Sequence, residues 1–238
     1  MSLFMLDYKE QVSFSLSDSL QKELVNLILT GFEHDFLLLL SHTPVITVGC
    51  SGKQEHILAS KELLQREGIE VHYVDRGGDV TYHGPGQLVG YPIINLSHYR
   101  EDPSWYVNCL EEVIIYVLRH FNLSGSRKKN DRGVWVKDKK IASIGVATKR
   151  KVVYHGFSLN VRPILKHFSY IMPCGMNSSD ITSMHSLLNT DCPTVEEVKQ
   201  VLVRSFLKVF EVDSVFDYNA CSSMSAPQKV SLPVEMLP

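Results

Sequence analysis

The chain has 238 residues, 44% of them hydrophobic, enough for a substantial buried core in one large domain or two small ones. Its 24 basic and 26 acidic residues leave a formal net charge of -2, which argues against a general nucleic-acid binder. No basic leader with a sustained apolar run opens it, apolar runs such as Phe36 to Leu40 are too short for a bilayer, and five scattered cysteines lack metal or disulfide spacing, so a reducing cytoplasm without membrane contact or metal is the expected setting.

Leu16, Leu20, Leu24, Leu27 and Ile28 have helical spacing, with Ser15 or Ser17 as cap and an end before Gly31. Phe36 to Leu40 and Val45 to Val48, separated by His42-Thr43-Pro44, read as paired strands. A short helix over residues 61–67 stops at Gly68, and residues 69–74 resume strand character. Asp102-Pro103 opens a helix with the stripe Leu110, Val113, Ile114, Val117, Leu118, Phe121. Residues 133–161 alternate strand-rich and turn-rich stretches, predicting an antiparallel meander. Thr194 and Glu197 form a capping box for a last helix. These elements predict a single α+β catalytic domain over residues 1–221, built on a mostly antiparallel mixed sheet flanked by helices, and an aperiodic tail over 222–238.

Residues 75–93 pack five glycines and two prolines around Arg76, Thr81, Tyr82, His83 and Gln87. Such a stretch suits a binding slot, because glycine lets a ligand approach the main-chain N–H groups. It matches neither common nucleotide fingerprint. From Arg76 to Ile93 it reads R-G-G-D-V-T-Y-H-G-P-G-Q-L-V-G-Y-P-I, and three shorter motifs follow it. They are Lys140-Ile141-Ala142-Ser143-Ile144-Gly145-Val146, His155-Gly156-Phe157-Ser158-Leu159-Asn160-Val161 and Pro173-Cys174-Gly175. In this order they resemble the lipoyl(octanoyl) transferase family, from about Pro44 to about Ser186. Cys50 departs from the family's more usual polar residue.

The resemblance implies the fold of biotin and lipoate protein ligases, with an acyl chain held in an apolar tunnel. It implies an acyl site lined by Arg76, Gly77, Gly78, Asp79, Val80, Thr81, Tyr82 and His83, by Ser143, Ile144 and Gly145, and by Gly156, Phe157 and Ser158. It further implies that Cys174 carries the acyl group and Lys140 activates it. The donor would be octanoyl-acyl carrier protein. The acceptors would be lysines on lipoyl domains of 2-oxoacid dehydrogenases and on the glycine cleavage H protein, with no cofactor. The residues themselves suit this chemistry. A thiolate can accept an acyl group from a thioester at little energetic cost and pass it downhill to an amine. A free thiol is mostly protonated near neutrality, so Lys140 would either take its proton as a neutral amine or stabilise the thiolate as an ammonium. His83 or His155 paired with Cys174 is the alternative base; the resemblance instead makes His83 a substrate-site residue and His155 strand-border structure. Tyr82 and Phe157 are otherwise plain core aromatics, and Cys50, Cys109, Cys192 and Cys221 structural.

Ten basic residues against Asp131 and Asp138 give the segment from Arg127 to Lys151 a net charge of +8, either a solvated rim or a dock for an acidic partner. Two other functions fit less well: an ATP-dependent lipoate or biotin ligase, which needs no cysteine, and an inactive acyl-binding module, which needs neither Cys174 nor Lys140.

Overall fold

The computed structural model describes residues 2–129, 131–172 and 178–218. In chain order the regular elements are β1 (Ser2–Val12), α1 (Phe14–Leu29), β2 (Asp35–His42), β3 (Val45–Val48), α2 (Lys61–Arg66), β4 (Glu70–Tyr73), β5 (Val80–His83) and β6 (Gln87–Asn95). There follow α3 (Pro103–His120), β7 (Gly125–Lys128), β8 (Asp131–Val136), β9 (Lys139–Lys149), β10 (Val152–Asn160), α4 (Met184–Leu188), α5 (Val195–Val209) and β11 (Ser214–Tyr218).

Eight strands form one sheet in the order β11-β1-β2-β6-β10-β9-β8-β7, and β4-β3-β5 form a second. In the large sheet β1 runs parallel to β2 and β11, and every other neighbouring pair is antiparallel. The uninterrupted apolar run of β2 follows from its central place. Leu37 and Leu39 enter the core beneath α3 and α5, while Phe36, Leu38 and Leu40 enter the core beneath α1. A strand covered on both faces has no polar side to show. Each fully buried leucine there contributes about 1.5–3 kcal/mol.

Two expectations change here. The runs at Phe36 and Val45 are both strands but do not pair, because β2 sits between β1 and β6 whereas β3 sits between β4 and β5. Both edges of each strand are taken, and Pro44 between them has no N–H for a hairpin ladder. The first helix is capped by Ser13, whose Oγ accepts from the Leu16 N–H at 3.4 Å, rather than by Ser15 or Ser17. Burial of Phe14 draws the helix start back, and Ser17 instead donates to the Phe14 carbonyl.

The other helix ends follow the sequence. Asp102 accepts from the Ser104 N–H at 2.9 Å ahead of Pro103, and Thr194 and Glu197 close the capping box at α5. No helix among the described residues is long and apolar enough to cross a membrane. The tail over 222–238 lies outside the described residues.

Candidate active site

A cavity of about 320 Å³ has walls from both sheets. The loop at residues 76–79 passes so close to β9 that the Gly77 N–H donates to the Val146 carbonyl at 2.8 Å. Arg76 fixes this loop from within. Its guanidinium donates to the Thr47 carbonyl and hydroxyl at 2.8 and 2.9 Å and to the Gly77 carbonyl at 3.1 Å, and the residue is 9% exposed. Asp79 Oδ1 accepts from the Val80 N–H and lies 2.6 Å from His56 Nδ1. A buried cation and a buried carboxylate are both tolerated because each has close polar partners.

Arg76, Gly77, Gly78, Asp79, Val80, Thr81 and His83 line the cavity, as do Ser143, Ile144, Gly145, Gly156, Phe157, Ser158 and Lys140. Tyr82 is not among the lining. It is fully buried in the small-sheet core with Ile46 and Phe168, its hydroxyl 2.7 Å from His167 Nδ1. Phe157 belongs to both settings, being part of the main core and of the cavity wall. Its ring lies over its cross-strand partner Gly90, where a Cβ would stand 2.3 Å from Phe157 Cζ.

Lys140 is gripped by one strand. Its Nζ lies 3.0 Å from Asp131 Oδ1 and 4.8 Å from the centre of the Trp135 ring, and its Cε would be 2.7 Å from a Cβ at Gly133. Only 8% of the Lys140 side chain is exposed, so it is not the solvated hairpin lysine that its neighbours Lys137 and Lys139 are. The chain following the Pro173-Cys174-Gly175 motif returns to the same place. Ile181 forms a bridge with Lys140, the Thr182 N–H donates to the Lys140 carbonyl at 2.9 Å, and Ile181 lines the cavity. Cys174 itself lies outside the described residues.

Burial pushes His83 well below its ordinary pKa, with Gln87 Oε1 3.1 Å from its Nδ1. His155 departs from its expected place. It lies within β10 rather than at a strand border, lines the cavity and has φ of 56°. Its N–H donates to Gln21 Oε1 at 2.9 Å, and its Nε2 lies 2.8 Å from Asp75 Oδ1. Burial lowers its pKa against the opposing pull of Asp75. Of the other cysteines, Cys50 is exposed, Cys192 is buried, and Cys109 on α3 is half-buried with its thiol pushed up to about 11 by burial. Cys221 lies outside the described residues.

Sequence reasoning missed Asp131, Thr47 and Phe168 as wall residues. Asp131 was hidden in the basic segment, where it counted only as a charge. That segment is also divided by the fold. Lys129 adjoins the β7–β8 turn and Lys149 and Lys151 the β9–β10 turn, while Lys137 and Lys139 flank the β8–β9 turn at the other end of the strands, to which Lys128 also reaches with its Nζ 3.3 Å from the Asp138 carbonyl. Arg127 is tied to Glu111 and Glu112, and Arg132 lines the cavity and donates to Asn108.

The family model described as the lipoyl protein ligase A/B catalytic domain matches residues 15–207. An octanoyltransferase of Dictyoglomus thermophilum is 40% identical over 225 residues, covering 94% of this chain and 95% of that protein. A crystal structure of lipoate-protein ligase A bound with ATP superposes with a TM-score of 0.78 at 15% identity, covering 93% of this chain and 90% of the other. A bipartite lipoate protein ligase of Thermoplasma acidophilum, described with its E2 lipoyl domain, gives 0.71 at 15% identity, covering 92% and 87%. At such identities these two structures establish a shared fold.

Proposed function

The chain belongs to the family of the lipoyl protein ligase A/B catalytic domain, and on that footing we propose that it takes octanoyl from an acyl carrier protein and delivers it to a lysine of a lipoyl domain. It is an acyltransferase handling octanoyl groups, like the octanoyltransferase that shares 40% of its residues over nearly its whole length. The carrier-protein donor, the lipoyl-domain acceptors of 2-oxoacid dehydrogenases, the glycine cleavage H protein as a further acceptor and a cytoplasmic setting are the finer parts of this reading. A lipoate ligase described with its E2 lipoyl domain shares the fold and supports the acceptor class.

In the reaction, the Cys174 thiolate attacks the thioester carbonyl of the donor, the carrier thiol leaves and takes up a proton, and octanoyl becomes a thioester on Cys174. The acceptor amine then attacks that carbonyl, the C–S bond breaks, the amide forms with loss of a proton, and the thiolate is restored. Lys140, which lines the cavity, supplies positive charge or a base in this reading. The observation that carries the reading is the cavity wall, where the glycine-rich loop, the β9 motif and the β10 motif meet around Lys140. An adenylating ligase is the second reading, raised by the ATP-bound ligase of similar fold, but 40% identity to a transferase outweighs 15% identity to a ligase.

Intact mass spectrometry after incubation with octanoyl carrier protein tests it. An octanoyl adduct removed by hydroxylamine and absent from Cys174→Ala, together with turnover unaffected by apyrase, is expected. Turnover that stops when ATP is removed would hand the chain to the ligase reading.

A further inference from the structure

We infer that Asp75 is a positioning residue for octanoyl transfer: through His155 and Tyr154 it ties the glycine-rich loop to β10 and so fixes the spacing of the two sheets around the cavity. The inference rests on the octanoyl-to-lipoyl-domain reading above and adds to it the residues that hold the cavity wall in place.

Two neighbouring residues of one strand reach the same carboxylate. His155 Nε2 lies 2.8 Å from Asp75 Oδ1, and the Tyr154 hydroxyl donates to Asp75 Oδ2. Regular strand alternation forbids this, because successive side chains leave on opposite faces. Val153 and Phe157 pack beneath α3 whereas Val152 and Tyr154 pack beneath α1, so alternation would put His155 on the α3 side. Its φ of 56° turns it to the α1 side instead, with its ring beside those of Tyr154 and Tyr91. A histidine in left-handed backbone is strained, and its surroundings maintain that strain. Gln21 of α1 accepts the His155 N–H at 2.9 Å. On the β6 side the residue opposite, counted inward from Val153–Ile94 and Phe157–Gly90, is Pro92, which has no N–H to offer. Gln21 is fully buried and its Nε2 finds no partner among the described residues, a cost that an apolar side chain would avoid if packing were all that the position required.

Asp75 leads directly into residues 76–79, which line the cavity. Arg76 binds that loop to the small sheet at Thr47, and the Gly77 N–H binds it to the large sheet at Val146. Val146 is the cross-strand partner of His155, so the Gly77 and Asp75 contacts grip adjacent points of the large sheet. Half of the Asp75 side chain is exposed against 2% for His155, which places the carboxylate at the solvent end of this seam. The imidazole can donate from Nε2 whether neutral or charged, so the tie needs no particular charge on the ring. An acyl chain that enters between loop and sheet meets a wall already in place, whereas a loosened loop would have to be ordered at every binding event.

Two measurements test this in the full chain and in Asp75→Ala, Asp75→Glu and Tyr154→Phe: amide hydrogen exchange of the peptide spanning residues 74–80, and kcat and KM for octanoyl-coenzyme A with a lipoyl domain as acceptor. Asp75→Ala should speed exchange of that peptide about tenfold or more and leave peptides of β2 and α3 at wild-type rates. Its KM should rise about tenfold with kcat held within about twofold, since the loop grips the acyl chain alike before and during reaction. Tyr154→Phe removes one hydroxyl and keeps the ring, so both readings should move the same way by less. Asp75→Glu should recover most of the loss.

Wild-type exchange in Asp75→Ala overturns the inference. Faster exchange with an unchanged KM does so too, since the tie would then have no part in transfer. A fall in kcat at constant KM also sinks it, by making His155 a group that acts on the reacting atoms. Should Asp75→Ala fold poorly, Tyr154→Phe carries the decision on the same two readings. A wild-type protein that transfers nothing to a lipoyl domain would instead defeat the reading of the acceptor, and the exchange rates would still decide whether Asp75 holds the loop.

Discussion

Gly90 shows how much one missing side chain can decide. Phe157 lines the cavity and lies over Gly90, so a methyl group there would drive the ring away by more than a simple adjustment allows. The open space next to the ring is the cavity, and Gly90→Ala should therefore shorten the acyl chain that fits. With about 0.8 kcal/mol per buried methylene, losing room for two carbons amounts to about 1.6 kcal/mol, or roughly a tenfold fall in kcat/KM for octanoyl relative to hexanoyl thioesters. Competition between the two donors measures it. An unchanged ratio in a destabilised protein would confine the contact to core packing. The glycine itself was readable in the motif, but the partner it makes room for was not, since the pairing of residue 90 with residue 157 is a property of the sheet.

The same limit applies among the elements. Helices announced themselves through periodicity and caps: α3 and α5 follow Asp102-Pro103 and Thr194 as the sequence indicates. β1 did not, because Asp7, Lys9 and Glu10 interrupt its apolar pattern. Asp7 is nonetheless buried, paired at 2.5 Å with Lys199 on α5, a partner 192 residues away. The hairpins of β8 to β10 were legible as a meander over residues 133–161 while β7 was not, and nothing local revealed that the lysines of this region would separate to two ends. That separation sharpens the docking idea. Reversing Lys128, Lys129 and Lys149 to glutamate changes one end together with Lys128, whose ammonium reaches the other, and should raise the apparent KM for octanoyl carrier protein, sparing the coenzyme A ester. Salt should weaken the wild-type preference for the carrier donor, since exposed charges are screened over about 8–10 Å. Equal losses with both donors would reduce these lysines to a solvated rim.

Across the whole molecule, acid is the condition to which the fold is most exposed. His42 is buried with ring nitrogens 2.8 Å from the Val12 carbonyl and the Tyr91 hydroxyl, and burial lowers its pKa from 6.5 to about 4. Burial lowers His83 in the same sense. The unfolded chain binds protons that these folded histidines refuse. The stability tied to both is therefore complete above about pH 6.5 and falls below it, for His42 down to about pH 4 at about 1.4 kcal/mol per pH unit. Asp35, its carboxyl pushed up by burial, counts in the opposite sense. Urea unfolding at pH 7, 6 and 5 should show a steady loss, with a shallower slope in His42→Gln. A flat profile would mean that the histidines find solvent without unfolding.

The composition of the cavity wall has a consequence in time as well as in space. Its walls come from Phe14 and Thr47 near the start of the chain, from positions within 76–83, 131–132, 140–146 and 155–158, and from Tyr91, Val107, Phe168 and Ile181, so no two neighbouring stretches of chain can make it alone. During synthesis, the glycine-rich loop is translated about a hundred residues before Ile181, the last wall residue among those described, and the cavity cannot be complete in the interval. The cavity is thus a property of the whole folded chain, completed only after residue 181 has been made.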